Sequence, residues 1–148
     1  MKPDVDRVLE VAAVQLMSEI GPTHPASYQG ATLTSMGVLL LATREEFERG
    51  AWRRVEENAA LRGIFSEAVA LLEEAPLRER LVAAAETRDD DLHISALEAT
   101  NAELRGLLIE LHAHVEELDT PAAARLDEAI WSELVASTER RKLSFSFF

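Results

Sequence analysis

Three observations predict an all-α fold, a single-domain bundle of five or six helices. Apolar residues recur every three or four positions along most of the chain. Proline, glycine or a capping residue marks each expected boundary. The apolar share of 47% is mostly Leu, Ala and Val, with only 5% aromatics, a composition that suits helices better than a β-sandwich. At 148 residues the chain has the span of one ordinary domain. Residues 1–142 are assigned to a helical bundle domain and 143–148 to an apolar C-terminal tail.

The first helix is expected over Asp4–Ile20, with Val5, Val8, Leu9, Ala12, Ala13, Leu16 and Ile20 on one face and Gly21-Pro22 as its stop. Thr23 to Gly30 reads as a loop carrying His24 and Tyr28. A second helix follows over Ala31–Arg49. Its run Val38-Leu39-Leu40-Leu41-Ala42 is apolar nearly all round, which suits a central helix or one covered by a partner. Gly50 is its expected stop. The third helix, Ala51–Glu74, contains Gly63 as a possible bend or close-approach point. Pro76 opens a fourth helix, through Thr87. Asp89-Asp90-Asp91 is expected at the start of the fifth, which runs to Leu118, because negative charge suits the positive helix end. Thr120-Pro121 has the form of an N-cap followed by proline at the first position of the sixth, which ends near Arg141. The fifth and sixth helices are expected to form a long antiparallel hairpin.

Composition excludes several function classes. No cysteine is present, so disulfides, thiolate metal sites and cysteine nucleophiles are ruled out. The formal charge of −12 opposes a general nucleic-acid binder. Residues 61–120 hold five basic against fourteen acidic side chains, a face either solvated or available to a basic partner. The start of the chain lacks a secretory pattern, and its longest apolar run falls far short of the ~20 residues that span a bilayer. The expectation is therefore a cytoplasmic protein, with no nucleic acid and no membrane among its partners.

The fifth helix carries the clearest pattern. Ile94, Leu97, Asn101, Leu104, Leu108, Leu111, Val115 and Leu118 follow alternating spacings of three and four. Asn101 is then a polar residue within an apolar seam, a device that fixes register. The seam can pair with the sixth helix of the same chain or build a homodimer interface. Asn101, Leu104, Leu108 and Leu111 are the candidate interface residues under the second reading.

The histidines are the candidate ligands. His112 and His114 lie two apart, so on a helix they point about 200° from one another. His114 could join Glu110 and Glu117, which lie four before and three after it, and Asp90 could converge with His93. These spacings partly match the Glu-x-x-His arrangement of helical di-iron proteins, but neither its repeat nor its further glutamates are present. No cofactor is expected. Glycine-rich phosphate loops, His-Glu-x-x-His and Gly-x-Ser-x-Gly are all missing. Arg44, Arg49, Arg53 and Arg54 alternate with Glu45, Glu46, Glu48, Glu56 and Glu57, a pattern expected on a salt-bridged outer face.

In the tail, Leu143, Phe145 and Phe147 alternate with Ser144 and Ser146, the period of an extended strand. Phe145, Phe147 and Phe148 are expected to be buried against protein, in this chain or at a subunit interface.

The capped apolar first helix, Gly21-Pro22, Tyr28 and the run Leu39-Leu40-Leu41-Ala42-Thr43-Arg44-Glu45-Glu46-Phe47-Glu48-Arg49-Gly50 carry a resemblance. In layout, residues 4–50 are similar to small uncharacterised bacterial helical domains encoded near aminoglycoside-phosphotransferase-like kinases and acyl-CoA dehydrogenases. The resemblance covers about a third of the chain and implies an all-helical accessory protein; it transfers no catalytic residue. The function expected from all this is a non-enzymatic helical accessory or interaction protein that self-associates, as a dimer, with a further protein partner left as an open alternative. The alternative is a helical bundle that binds a metal ion or small ligand, with or without enzymatic activity.

Overall fold

The structure, a computed structural model, describes residues 2, 4–24, 28–72 and 75–144. It is all-helical, with five α-helices and no strand among the described residues. In order these are α1 (Val5–Val14), α2 (Tyr28–Ala68), α3 (Ala75–Ala85), α4 (Ile94–Glu116) and α5 (Pro121–Arg141). A π-helical turn, Gln15–Ile20, and a 3₁₀ turn, Gly21–Thr23, extend α1. The chain divides into two compact units, one of Met1–Gly50 with the chain from Leu143 on, the other of Ala51–Lys142.

Within the first unit the chain folds back through close backbone approach. A Cβ on Gly37 would meet the Met17 side chain and lie 3.0 Å from the Ala13 carbonyl oxygen, and one on Gly30 would collide with the His24 carbonyl. Space therefore requires glycine at Gly30, where the obstacle is backbone, whereas at Gly37 the Met17 side chain would have to shift. Several apolar residues expected inside stand outside: Val5, Val8 and Ile20 are exposed, and Ala13 is the buried member of α1. At the far end of the sequence, Ser144 donates through its backbone N–H and its hydroxyl to Glu45 Oε2, each at 2.8 Å. The tail residues Phe145, Phe147 and Phe148 lie outside the described residues.

The second unit is organised around one core. Leu61, Ile64, Phe65 and Ala68 of α2 meet Leu81 of α3, Leu104, Leu107, Leu108, Leu111 and Val115 of α4, and Ala123, Leu126 and Ile130 of α5. Thr120 caps α5 as its sequence suggests, its hydroxyl accepting the Ala123 N–H at 3.1 Å, with Pro121 following. Across the 117–120 connection, α4 and α5 touch through His112 with Asp127 and Arg105 with Ser137.

Two expected boundaries and one expected close approach are corrected. Gly50 does not end a helix, because α2 runs through it and replaces the expected second and third helices, so six helices become five. A glycine within a helix costs about 1 kcal/mol, too little to break one supported by packing on both sides. The Asp89-Asp90-Asp91 cluster lies ahead of α4 rather than in its first turn, because Asp89 is drawn to Arg62 and Asp91 accepts the His93 N–H. Gly63 marks no close approach, since a Cβ there meets nothing within 4 Å. Gly63→Ala should accordingly raise the free energy of unfolding by about 0.5–1 kcal/mol, whereas Gly30→Ala should lower it by about 1–3 kcal/mol. Urea titrations of the two variants should move in opposite directions.

Candidate functional site

The most developed polar arrangement is a buried network in the second unit. Glu57 on α2 is 1% exposed, although its neighbours in sequence place it in a mixed-charge run. The outer face expected for that run is thus wrong at Glu57, and also at Glu45 and Arg53, which are buried. It lies four before Leu61 and eight before Phe65, so it shares their inward face. Arg141 clamps it with two bonds, Nε to Oε1 at 2.8 Å and Nη2 to Oε2 at 2.6 Å. Ser137 donates to Oε1 at 2.7 Å, and Asn101 donates to Oε2 at 3.2 Å. Burial pushes the Glu57 carboxyl up, yet the bonds from Arg141 and Ser137 and the arginine charges outweigh it and hold it below the ordinary glutamate value.

Asn101 extends the network. It donates to Asn58 Oδ1 at 2.9 Å, and its own oxygen accepts from Arg141 at 3.3 Å. Asn58 passes the chain on to Asp89 at 3.0 Å, and Arg62 grips Asp89 through two bonds of 2.8 and 2.9 Å. The Arg62 bonds lower the Asp89 carboxyl further than its burial raises it. α2, α4, α5 and the segment before α4 are thereby tied in one register, with the buried groups satisfied. The candidate interface residues Asn101, Leu104, Leu108 and Leu111 all lie buried in their own unit. Of the two readings left open for the seam, this is the placement of the intramolecular one.

The candidate metal ligands are not brought together as expected. Glu110 is bound at both oxygens by Arg80, at 2.5 and 2.8 Å. His114 and Glu117 occupy the last turn and the C-cap of α4, where the Glu117 N–H bonds the His114 carbonyl. His93 takes Asp91 rather than Asp90, with Nδ1 2.5 Å from Oδ1, and Asp90 lines the same shallow surface. The group that does converge is His112, Glu116 and Asp127. Nε2 of His112 lies 2.8 Å from Asp127 Oδ1 and 3.7 Å from Glu116 Oε1. Sequence reasoning passed over His112 by weighing it only against His114. The usable signal was Glu116 four residues later on the same helix face.

The third feature is an exposed apolar stripe in the first unit. Met36, Leu39, Thr43 and Phe47 follow one another on α2 at spacings of three, four and four, which puts them on one side of the helix. Leu39 is 66% exposed and Phe47 55% exposed. From Tyr28 to Thr43 the helix carries no charged residue at all, in a chain that is 28% charged. Among the described residues no helix is long and apolar enough to cross a membrane. Comparison with known proteins finds no match for this chain, neither a protein-family model nor a curated protein nor a solved structure.

Proposed function

We propose that the protein is a non-enzymatic helical interaction protein that self-associates, and that a second copy of the chain covers the stripe of α2. The observation that carries this reading is the exposed face at Met36, Leu39, Thr43 and Phe47, uncharged from Met36 to Thr43 and bordered by Arg44, Glu46 and Glu48 at Phe47. Water contact with such side chains is unfavourable by roughly 25 cal/mol per Å² of apolar surface. Spacings of three and four are those a facing helix of the same kind can interdigitate with. A chain of net charge −12 repels its own copies wherever acidic surfaces meet, and Tyr28–Thr43 is a long stretch where no such repulsion arises. A basic partner, by contrast, would find no carboxylate there to pair with. In this reading α4 and α5 form a long antiparallel hairpin whose seam is spent on the chain's own core, which leaves α2 as the association surface.

Sedimentation at micromolar concentration tests the assignment. The wild-type chain should sediment above its monomer mass of 16.4 kDa. Leu39→Glu should weaken association about tenfold or more while leaving the helical circular dichroism unchanged. Ile109→Glu, at an exposed apolar residue of α4, should leave the mass as it is. Equal masses for Leu39→Glu and wild type would contradict the assignment.

A further inference from the structure

The convergence of His112, Glu116 and Asp127 is independent of the association surface and lies in the other unit. We infer that these three side chains form a binding site for a divalent first-row transition metal, of which Zn²⁺ is the best fit. His112 and Glu116 stand four apart on α4 and so share a face, while Asp127 comes from α5. One donor atom from each lies within 4.8 Å of the others. Tetrahedral ligation at bonds of about 2.0–2.2 Å needs donors about 3.3–3.6 Å apart, which small side-chain rotations achieve from this starting point. The donor set suits the ion. One imidazole with two carboxylates favours zinc or a neighbouring metal over calcium or magnesium, which prefer oxygen alone.

Two further observations point the same way. Elsewhere in this unit, carboxylates that reach across elements meet an arginine: Asp89 with Arg62, Glu57 with Arg141, Glu110 with Arg80 and Glu98 with Arg54. Glu116 and Asp127 converge instead on an imidazole, with no Lys or Arg paired to either among the described residues. A dication would offset their two negative charges. In addition, Glu116 and Asp127 line a cleft of about 370 Å³ at the α4–α5 turn, together with Leu118, Asp119 and Thr120. The cleft opens beside these two carboxylates, while His112 is not among its lining residues. The Trp131 ring system makes a T-shaped contact with the imidazole, with ring centroids 5.5 Å apart and planes at 81°. Bound metal is therefore placed to perturb the emission of Trp131.

Titration of the full chain with ZnCl₂ by calorimetry, with elemental analysis after dialysis, tests the site. Wild type should bind one zinc ion per chain, and zinc should raise the melting temperature. His112→Gln and Asp127→Asn should each weaken binding at least tenfold, with helical content retained. His114→Gln should bind as wild type does. Co²⁺ should give tetrahedral d–d absorption and quench tryptophan emission in a Trp52→Phe background, where Trp131 is the remaining indole. Absence of stoichiometric binding, or equal binding by wild type, His112→Gln and Asp127→Asn, would overturn the proposal. So would loss of binding in His114→Gln.

Discussion

Replacing Glu57 by Ala is expected to lower the free energy of unfolding by about 3–5 kcal/mol, the usual scale for removing one partner of a buried ion pair. The loss has identifiable parts. Ser137 and Asn101 would lose their acceptor inside the fold, and Arg141 would keep its charge against a cavity. Urea unfolding at neutral pH followed by circular dichroism measures it. The same carboxylate gives stability a pH dependence of known sign. Its folded value lies below the ordinary 4.5, so its contribution is complete above that value and is lost as pH falls through the folded one. Asp89 acts in the same direction, from an ordinary value of 3.8. Glu133 acts in the opposite one. Burial pushes its carboxyl up against the pull of Arg140, so its contribution is present at low pH and lost as pH rises through the raised value. Glu57→Ala should therefore flatten the acid limb of the stability profile as well as lower its plateau.

Phe65→Ala is expected to cost about 3–5 kcal/mol as well, for a different reason. Phe65 is wholly buried among Leu61, Leu81, Leu104 and Leu108, and truncation would leave a cavity that four helices cannot close together. Phe47 supplies the internal comparison, because the same side chain there faces solvent. Phe47→Ala, measured on dilute monomer, should change unfolding by no more than about 0.5 kcal/mol. At association concentrations it should reduce the oligomer.

Much of the helical architecture was legible in the sequence where local chemistry decides it. The seam of α4 is buried from Leu97 to Val115, though not at the exposed Ile94, because its spacing of three and four leaves one apolar face, and Thr120-Pro121 begins α5 because cap and proline both act within one turn. What was not legible depends on tertiary partners. Gly50 looks like a stop by itself, but its cost is small against the packing of a long α2. Asp89 looks like a helix-start charge until Arg62, 27 residues away, claims it. Glu57 looks solvated among its charged neighbours until Arg141, 84 residues away, arrives to pair with it. His112 and Asp127 meet only because α4 and α5 bring them together. The excess apolarity of Val38–Ala42 was visible throughout, and so was its implication of a central place or a covering partner. The exposure of Leu39 favours the partner.

The most direct measurement of that claim uses the lack of native cysteine. Thr43→Cys places a single thiol in the middle of the stripe, and a nitroxide attached there reports on its surroundings. Self-association through α2 predicts a motionally restricted electron paramagnetic resonance spectrum, broadened by spin–spin interaction, with the broadening removed on dilution with unlabelled chain. A label at Glu67→Cys, exposed in the other unit, should remain mobile and unbroadened. A mobile, unbroadened spectrum at Thr43→Cys at micromolar concentration would contradict the account.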